Sequence, residues 1–106
     1  MEVRFSSSAK WEVRGAAKYY EEEVEGLGKA FLQELKRGIG EIKKYPLASR
    51  IIKANFRRHL LSRFPFGIIY EIQDETIFVA AVMHLKRKPG YWELSLGQQD
   101  GARNGE

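Results

Sequence analysis

No cysteine occurs in the 106 residues, which removes disulfide scaffolds and thiolate metal sites and makes a reducing cytoplasm the default compartment. Two isolated histidines form no ligand cluster, so neither a metal nor another cofactor is expected. Long apolar runs are also missing: none approaches the roughly 20 residues of a spanning helix. The opening M-E-V-R-F-S-S-S has no apolar signal core, so the chain reads as a soluble, unexported protein with no membrane partner. Proline is scarce, at three residues, and each one marks a boundary: Pro46 after a helical stretch, Pro65 between apolar runs, Pro89 in a terminal turn.

A chain of this length is a single domain whose apolar segments share one core. The stretch from Arg57 to Trp92 organises it. Phe66 to Ile72 and Thr76 to Met83 are runs rich in Ile, Val, Phe and Tyr, the composition of strands. Gln73-Asp74-Glu75 joins them as a hairpin turn, without the Gly that would specify its type. Thr76 to Met83 is apolar on both alternating faces, as a central or doubly covered strand would be.

Earlier in the chain, Val3 and Phe5 alternate with polar residues, predicting a short first strand. Ser6-Ser7-Ser8 offers N-cap oxygens for a helix beginning near Ala9. Apolar residues then recur at 13, 17, 20, 24, 27, 31, 35, 39 and 42, in steps of three or four, an amphipathic helical stripe. Gly26-Leu27-Gly28 interrupts it, because glycine adopts the left-handed conformation that ends helices. Two antiparallel helices near 9–25 and 28–45 follow, the second stopped by Tyr45-Pro46. The Glu21, Glu22, Glu23 and Glu25 run reads as a solvated face. Gly38 and Gly40 inside the second helix point to close packing against the sheet or a partner.

Ser49 to Phe56 fits either a short strand or an irregular loop. In Arg57 to Phe64, His59, Leu61 and Arg63 fall on one alternating face and Leu60, Ser62 and Phe64 on the other. From Leu94 the chain turns polar and Gly-rich, so 1–93 reads as the domain and 94–106 as a flexible tail.

Net charge is +4, unevenly spread: residues 50–92 hold eight Lys/Arg against three Asp/Glu. Such asymmetry favours an anionic partner, a nucleic acid or an acidic protein segment.

Four ordered patches carry a resemblance to a known family. They are Tyr19-Tyr20-Glu21 with Gly26-Leu27-Gly28 and Phe31; Pro46; Arg57-Arg58 through Arg63-Phe64-Pro65-Phe66 and Tyr70; and Ala81-Val82 with His84, Arg87, Pro89, Tyr91 and Trp92. Their set resembles the ParE/RelE superfamily of type II toxin–antitoxin toxins, and its ParE-type branch more closely. The resemblance implies an α+β fold, with an N-terminal strand and an antiparallel helical hairpin on a curved, mainly antiparallel sheet. It also implies growth inhibition, a role in plasmid stabilisation, and a cognate antitoxin that binds the toxin in a hetero-oligomer. For the target it implies DNA gyrase, with ribosome-dependent mRNA cleavage as the alternative.

RNA cleavage at a 2′-OH needs a base, cations for the phosphorane charge and an acid for the leaving oxygen. His84, Arg87 and Tyr91 are the residue types for those roles if the chain is a nuclease, with Arg50 and Lys53 as candidate additional cations. At a strand end, however, a histidine is more commonly a hydrogen-bonded structural residue. Arg57, Arg58, Arg63, Lys86, Arg87, Lys88, Tyr91 and Trp92 are the candidate contacts to target or antitoxin.

Overall fold

The computed structural model describes residues 1–88 and 90–99. A first strand, β1 (Glu2–Phe5), leads into α1 (Ser7–Glu23) and α2 (Leu27–Lys44), followed by β2 (Arg50–Lys53), β3 (Phe56–Leu60), β4 (Phe66–Gln73), β5 (Thr76–His84) and α3 (Tyr91–Gln99). The five strands form one sheet in the order β1-β5-β4-β3-β2, with β1 parallel to β5 and every other pairing antiparallel. This is the expected α+β architecture. No helix among the described residues is long and apolar enough to cross a membrane.

Ser6 is the N-cap of α1, its Oγ accepting the Ala9 N–H at 3.0 Å. The same hydroxyl donates to the Ala80 carbonyl at 2.8 Å, so one buried side chain ties the helix start to β5. Gly26 turns the chain at φ +87°, a conformation that carries no Cβ penalty in glycine. Glu21 then caps α2, where Oε2 accepts the Gly26 N–H at 2.8 Å and Oε1 the Gly28 N–H at 3.0 Å. These backbone donors hold its carboxyl below the usual value; the whole acidic run is exposed, and Glu21 alone in it also caps the turn. A Cβ on Gly28 would lie 2.4 Å from the Ala17 carbonyl oxygen; the two helices meet this closely only because residue 28 has no side chain. The stop after Lys44 falls at Tyr45-Pro46 as the sequence indicates.

The β4–β5 turn is Asp74-Glu75 alone, with Gln73 paired to Thr76. Asp74 takes φ +56°, a left-handed position that aspartate tolerates better than most residues. Farther along, Ile69 pairs with Ala81 but Tyr70 pairs with Val79, leaving Ala80 as the extra residue of a β-bulge. The bulge reverses the alternation of β5. Ile77, Val79 and Val82 therefore join the core beneath the helices, while Phe78, Ala81 and Met83 join a second core on the outer face. That is why the strand reads as apolar on both faces.

Beneath the helices, Phe31 is fully buried and meets Phe64 and Phe66 edge-on at ring separations of 5.3 and 5.1 Å. Tyr20 and Leu27 pack against this core while only half-buried. Gly38 brings α2 onto the sheet: a Cβ there would come within 3.0 Å of Leu61 Cδ2 and 3.2 Å of Ile68 Cδ1. Gly40 faces open space, so close packing accounts for only one of the two glycines.

Ser49 to Phe56, open between strand and loop, contains the edge strand β2. Two readings need correction. Leu61 and Phe64, assigned to opposite faces, both enter the helix-side core. The chain leaves the sheet after Leu60 and folds tightly around Pro65, with Phe66 N–H donating to the Phe64 carbonyl at 2.7 Å, so strand parity ends there. Finally, the segment from Leu94 continues α3 through Gln99, with Leu96 5% exposed in the outer core beside Trp92. Trp92 and Leu96 stand four residues apart on one helical face, a two-residue signal that polar neighbours obscure. The rest of the expected tail, 100–106, lies outside the described residues.

Candidate functional site

β1 ends at Phe5, which pairs with Val79, so it leaves the rest of β5 without a strand on that side. A side chain takes over there. Glu12, projecting from α1, accepts the Val82 N–H on Oε1 at 2.9 Å, the role a neighbouring strand's carbonyl would play. Its Oε2 accepts the Tyr91 hydroxyl in a short hydrogen bond. Burial raises the Glu12 carboxyl above its ordinary value, against the opposing pull of Tyr91, Val82 N–H and Arg87. The Tyr91 phenol is likewise pushed up, by burial first and the Glu12 carboxylate second. The Arg87 guanidinium stacks 3.8 Å from the centre of the Tyr91 ring.

These groups line a cleft of about 510 Å³, whose other walls include Tyr19, Tyr20, Phe66 and His84. Gly15 keeps part of its wall open, since a Cβ there would meet nothing within 4 Å. The cleft unites the three residues expected for nuclease chemistry, His84, Arg87 and Tyr91, but the hydrogen bonds commit two of them. His84 Nδ1 accepts the Lys86 N–H at 3.1 Å, which places the proton of a neutral ring on Nε2 and leaves no free basic nitrogen. The Tyr91 proton is already directed at Glu12. Among the described residues no three His, Cys, Asp or Glu side chains gather in a way that would hold a metal.

The other candidate residues are dispersed. Arg57 Nη1 donates to the Leu47 and Ser49 carbonyls at 3.0 and 2.8 Å, fastening the α2–β2 connection. Arg63 is exposed beside Phe64, and Lys86 and Lys88 are exposed after β5. Trp92 is 2% exposed and packs on Phe56 at a ring separation of 4.7 Å, so it belongs to the outer core. Arg58 and Arg87, with Lys53, line a second groove of about 370 Å³ on the outer face. Arg50 lies beside that groove, paired with Arg58 across β2 and β3.

Glu12 is the residue that sequence reasoning missed. Its signal was a carboxylate on the same helical face as Ala9 and Ala16, where a solvated residue would be out of place.

The family described as "ParE toxin of type II toxin-antitoxin system, parDE" matches residues 3–89. The chain belongs to the ParE toxin family. It is thus a toxin of the type II toxin–antitoxin class. Among solved structures, one titled "Chromosomal ParDE TA system from P. aeruginosa" is similar, with a TM-score of 0.61 and 13% identity, covering 79% of this chain and 95% of that one. At that identity the likeness is one of fold. A comparison with curated proteins gave no match. Glu12, His84 and Arg87 of this ParE-family chain lie within the matched span, whereas Tyr91 and the rest of α3 lie beyond it.

Proposed function

We propose that this ParE-family toxin arrests growth in the cytoplasm by inhibiting DNA gyrase through protein–protein contact, and that a cognate antitoxin neutralises it. The observation that carries the choice of target is the state of the cleft. Glu12 takes up the Tyr91 proton donor, and the Lys86 N–H takes up His84 Nδ1. A nuclease would need those two groups free, as acid and base, to act on RNA. Arg87, stacked on Tyr91, remains available for binding.

The antitoxin reading rests on the basic 50–92 section and on the open sheet edge. β2 is exposed along its whole length, with Ile51 and Ile52 flanked by Arg50 and Lys53. An acidic, flexible segment would order on such an edge, adding main-chain hydrogen bonds to charge attraction.

The deciding experiment uses one preparation of toxin in two assays, gyrase supercoiling and ribosome-dependent mRNA cleavage. Supercoiling should stop and no RNA product should appear. Specific mRNA cuts that vanish in Tyr91→Phe, with supercoiling untouched, would replace gyrase with the ribosome and its mRNA.

A further inference from the structure

Arg50 and Arg58 stand directly opposite each other across the β2–β3 pair. Directly opposed residues share a face, with Cβ atoms about 5 Å apart, and like charges so placed repel. Arg58 is also paired with Ile69, a member of the outer core, so both arginines lie on the outer face of the sheet. Among the described residues neither has a carboxylate partner.

The arrangement is built rather than incidental to a loop. Arg58 runs across Gly67 of β4, where a Cβ would come within 3.1 Å of its Cγ and 3.2 Å of its Cδ. The missing side chain at 67 gives the arginine stem its slot. Arg58 then lines the outer groove together with Lys53, Arg87 and Glu93. Glu93 is engaged by Lys53 at 3.1 Å, which leaves Arg50, Arg58 and Arg87 as a cationic excess. Two adjacent guanidinium forks suit one bridging oxyanion.

The rest of the face narrows the class of oxyanion. Single-stranded nucleic acid is held largely by stacking bases on aromatic rings. Here the rings are covered, with Phe78 3% and Trp92 2% exposed and Phe56 packed on Trp92. Backbone charge is what the surface can read. We propose that this face binds the phosphate backbone of duplex DNA, with Arg50 and Arg58 clamping one phosphate and Arg87 reaching a neighbouring one. The proposal deepens the gyrase reading and rests on it in one respect: DNA is what that enzyme holds, so the toxin meets its target on a DNA-bearing complex.

The test is fluorescence anisotropy of the full chain with a labelled duplex of mixed sequence, titrated at several salt concentrations. Binding should be independent of sequence, and log K should fall against log[salt] with a slope of about −2, as neutralising two phosphates requires. Arg50→Gln should weaken binding by leaving the clamped phosphate to Arg58 alone, while keeping or raising the thermal midpoint, because a repulsion is relieved. Gly67→Ala should also weaken binding by displacing the Arg58 stem with no change of charge. The proposal is overturned if the duplex is not bound at low salt, or if Arg50→Gln binds like the parent chain. Tighter binding of single-stranded RNA would overturn it too. Supercoiling run in parallel separates the two readings. Inhibition by a chain that does not bind DNA defeats this proposal alone, and DNA binding without inhibition defeats the gyrase reading.

Discussion

The Tyr91 hydroxyl donates to Glu12 Oε2 across 79 residues of sequence, while Glu12 Oε1 accepts the Val82 N–H. One carboxylate thereby links α1, the uncovered edge of β5 and the start of α3. Removing it leaves a partly buried N–H and hydroxyl without partners, at a cost of about 1–3 kcal/mol. Glu12→Ala should therefore lower the urea midpoint more than Tyr91→Phe, which leaves the Val82 bond in place. Hydrogen exchange at Val82 should accelerate in Glu12→Ala; equal midpoints for the parent chain and Glu12→Ala would refute the link.

Alkaline pH should loosen the same link. The phenol of Tyr91 is raised by burial and by Glu12, so the folded state holds its proton more tightly than the unfolded chain does. That stabilisation is complete below the ordinary tyrosine value of about 10 and is lost as pH climbs beyond it. Stability measured from pH 8 to 11 should fall less steeply in Tyr91→Phe than in the parent chain.

On the acid side the sign is opposite for Glu34. Burial alone would raise its carboxyl, but the Ser62 N–H and the Arg37 and Arg63 charges together bring it below 4.5. Its contribution is present above the ordinary value and disappears as pH falls through the lowered one. Glu34→Gln should flatten the loss of stability below pH 4.5, as read from urea midpoints. An unchanged acid limb would count against this role.

The two helical glycines 28 and 40 should respond in opposite directions to alanine. Gly28→Ala forces a Cβ to 2.4 Å from a backbone oxygen, which must separate the helices and should cost about 1–3 kcal/mol. Gly40→Ala places its methyl in open space and should gain up to about 1 kcal/mol from helix propensity. Thermal midpoints of the two variants give the comparison directly.

Ala54, in the β2–β3 turn, has φ +50°, where an L-residue other than glycine bears roughly 1–2 kcal/mol of strain. Ala54→Gly should recover part of that, net of the added freedom of the unfolded chain. A raised thermal midpoint is the expected result; a lowered one would show that the turn is not strained.

The elements were legible in local pattern: period-three-and-four spacing set the helical hairpin, Gly26 broke it, Pro46 and Pro65 bounded its neighbours, and β-branched runs made the central hairpin. These are local properties, decided within a turn or two of chain. Tertiary structure decided the partnerships. The Ala80 bulge reversed the faces of β5, a shift of one residue that no apolar pattern on both faces reveals. Register placed Arg50 against Arg58, and the early end of β1 left Val82 for Glu12 to satisfy. The same tyrosine that fits an acid in sequence became a donor held by a carboxylate, because burial and a distant partner, neither encoded nearby, set where its proton goes.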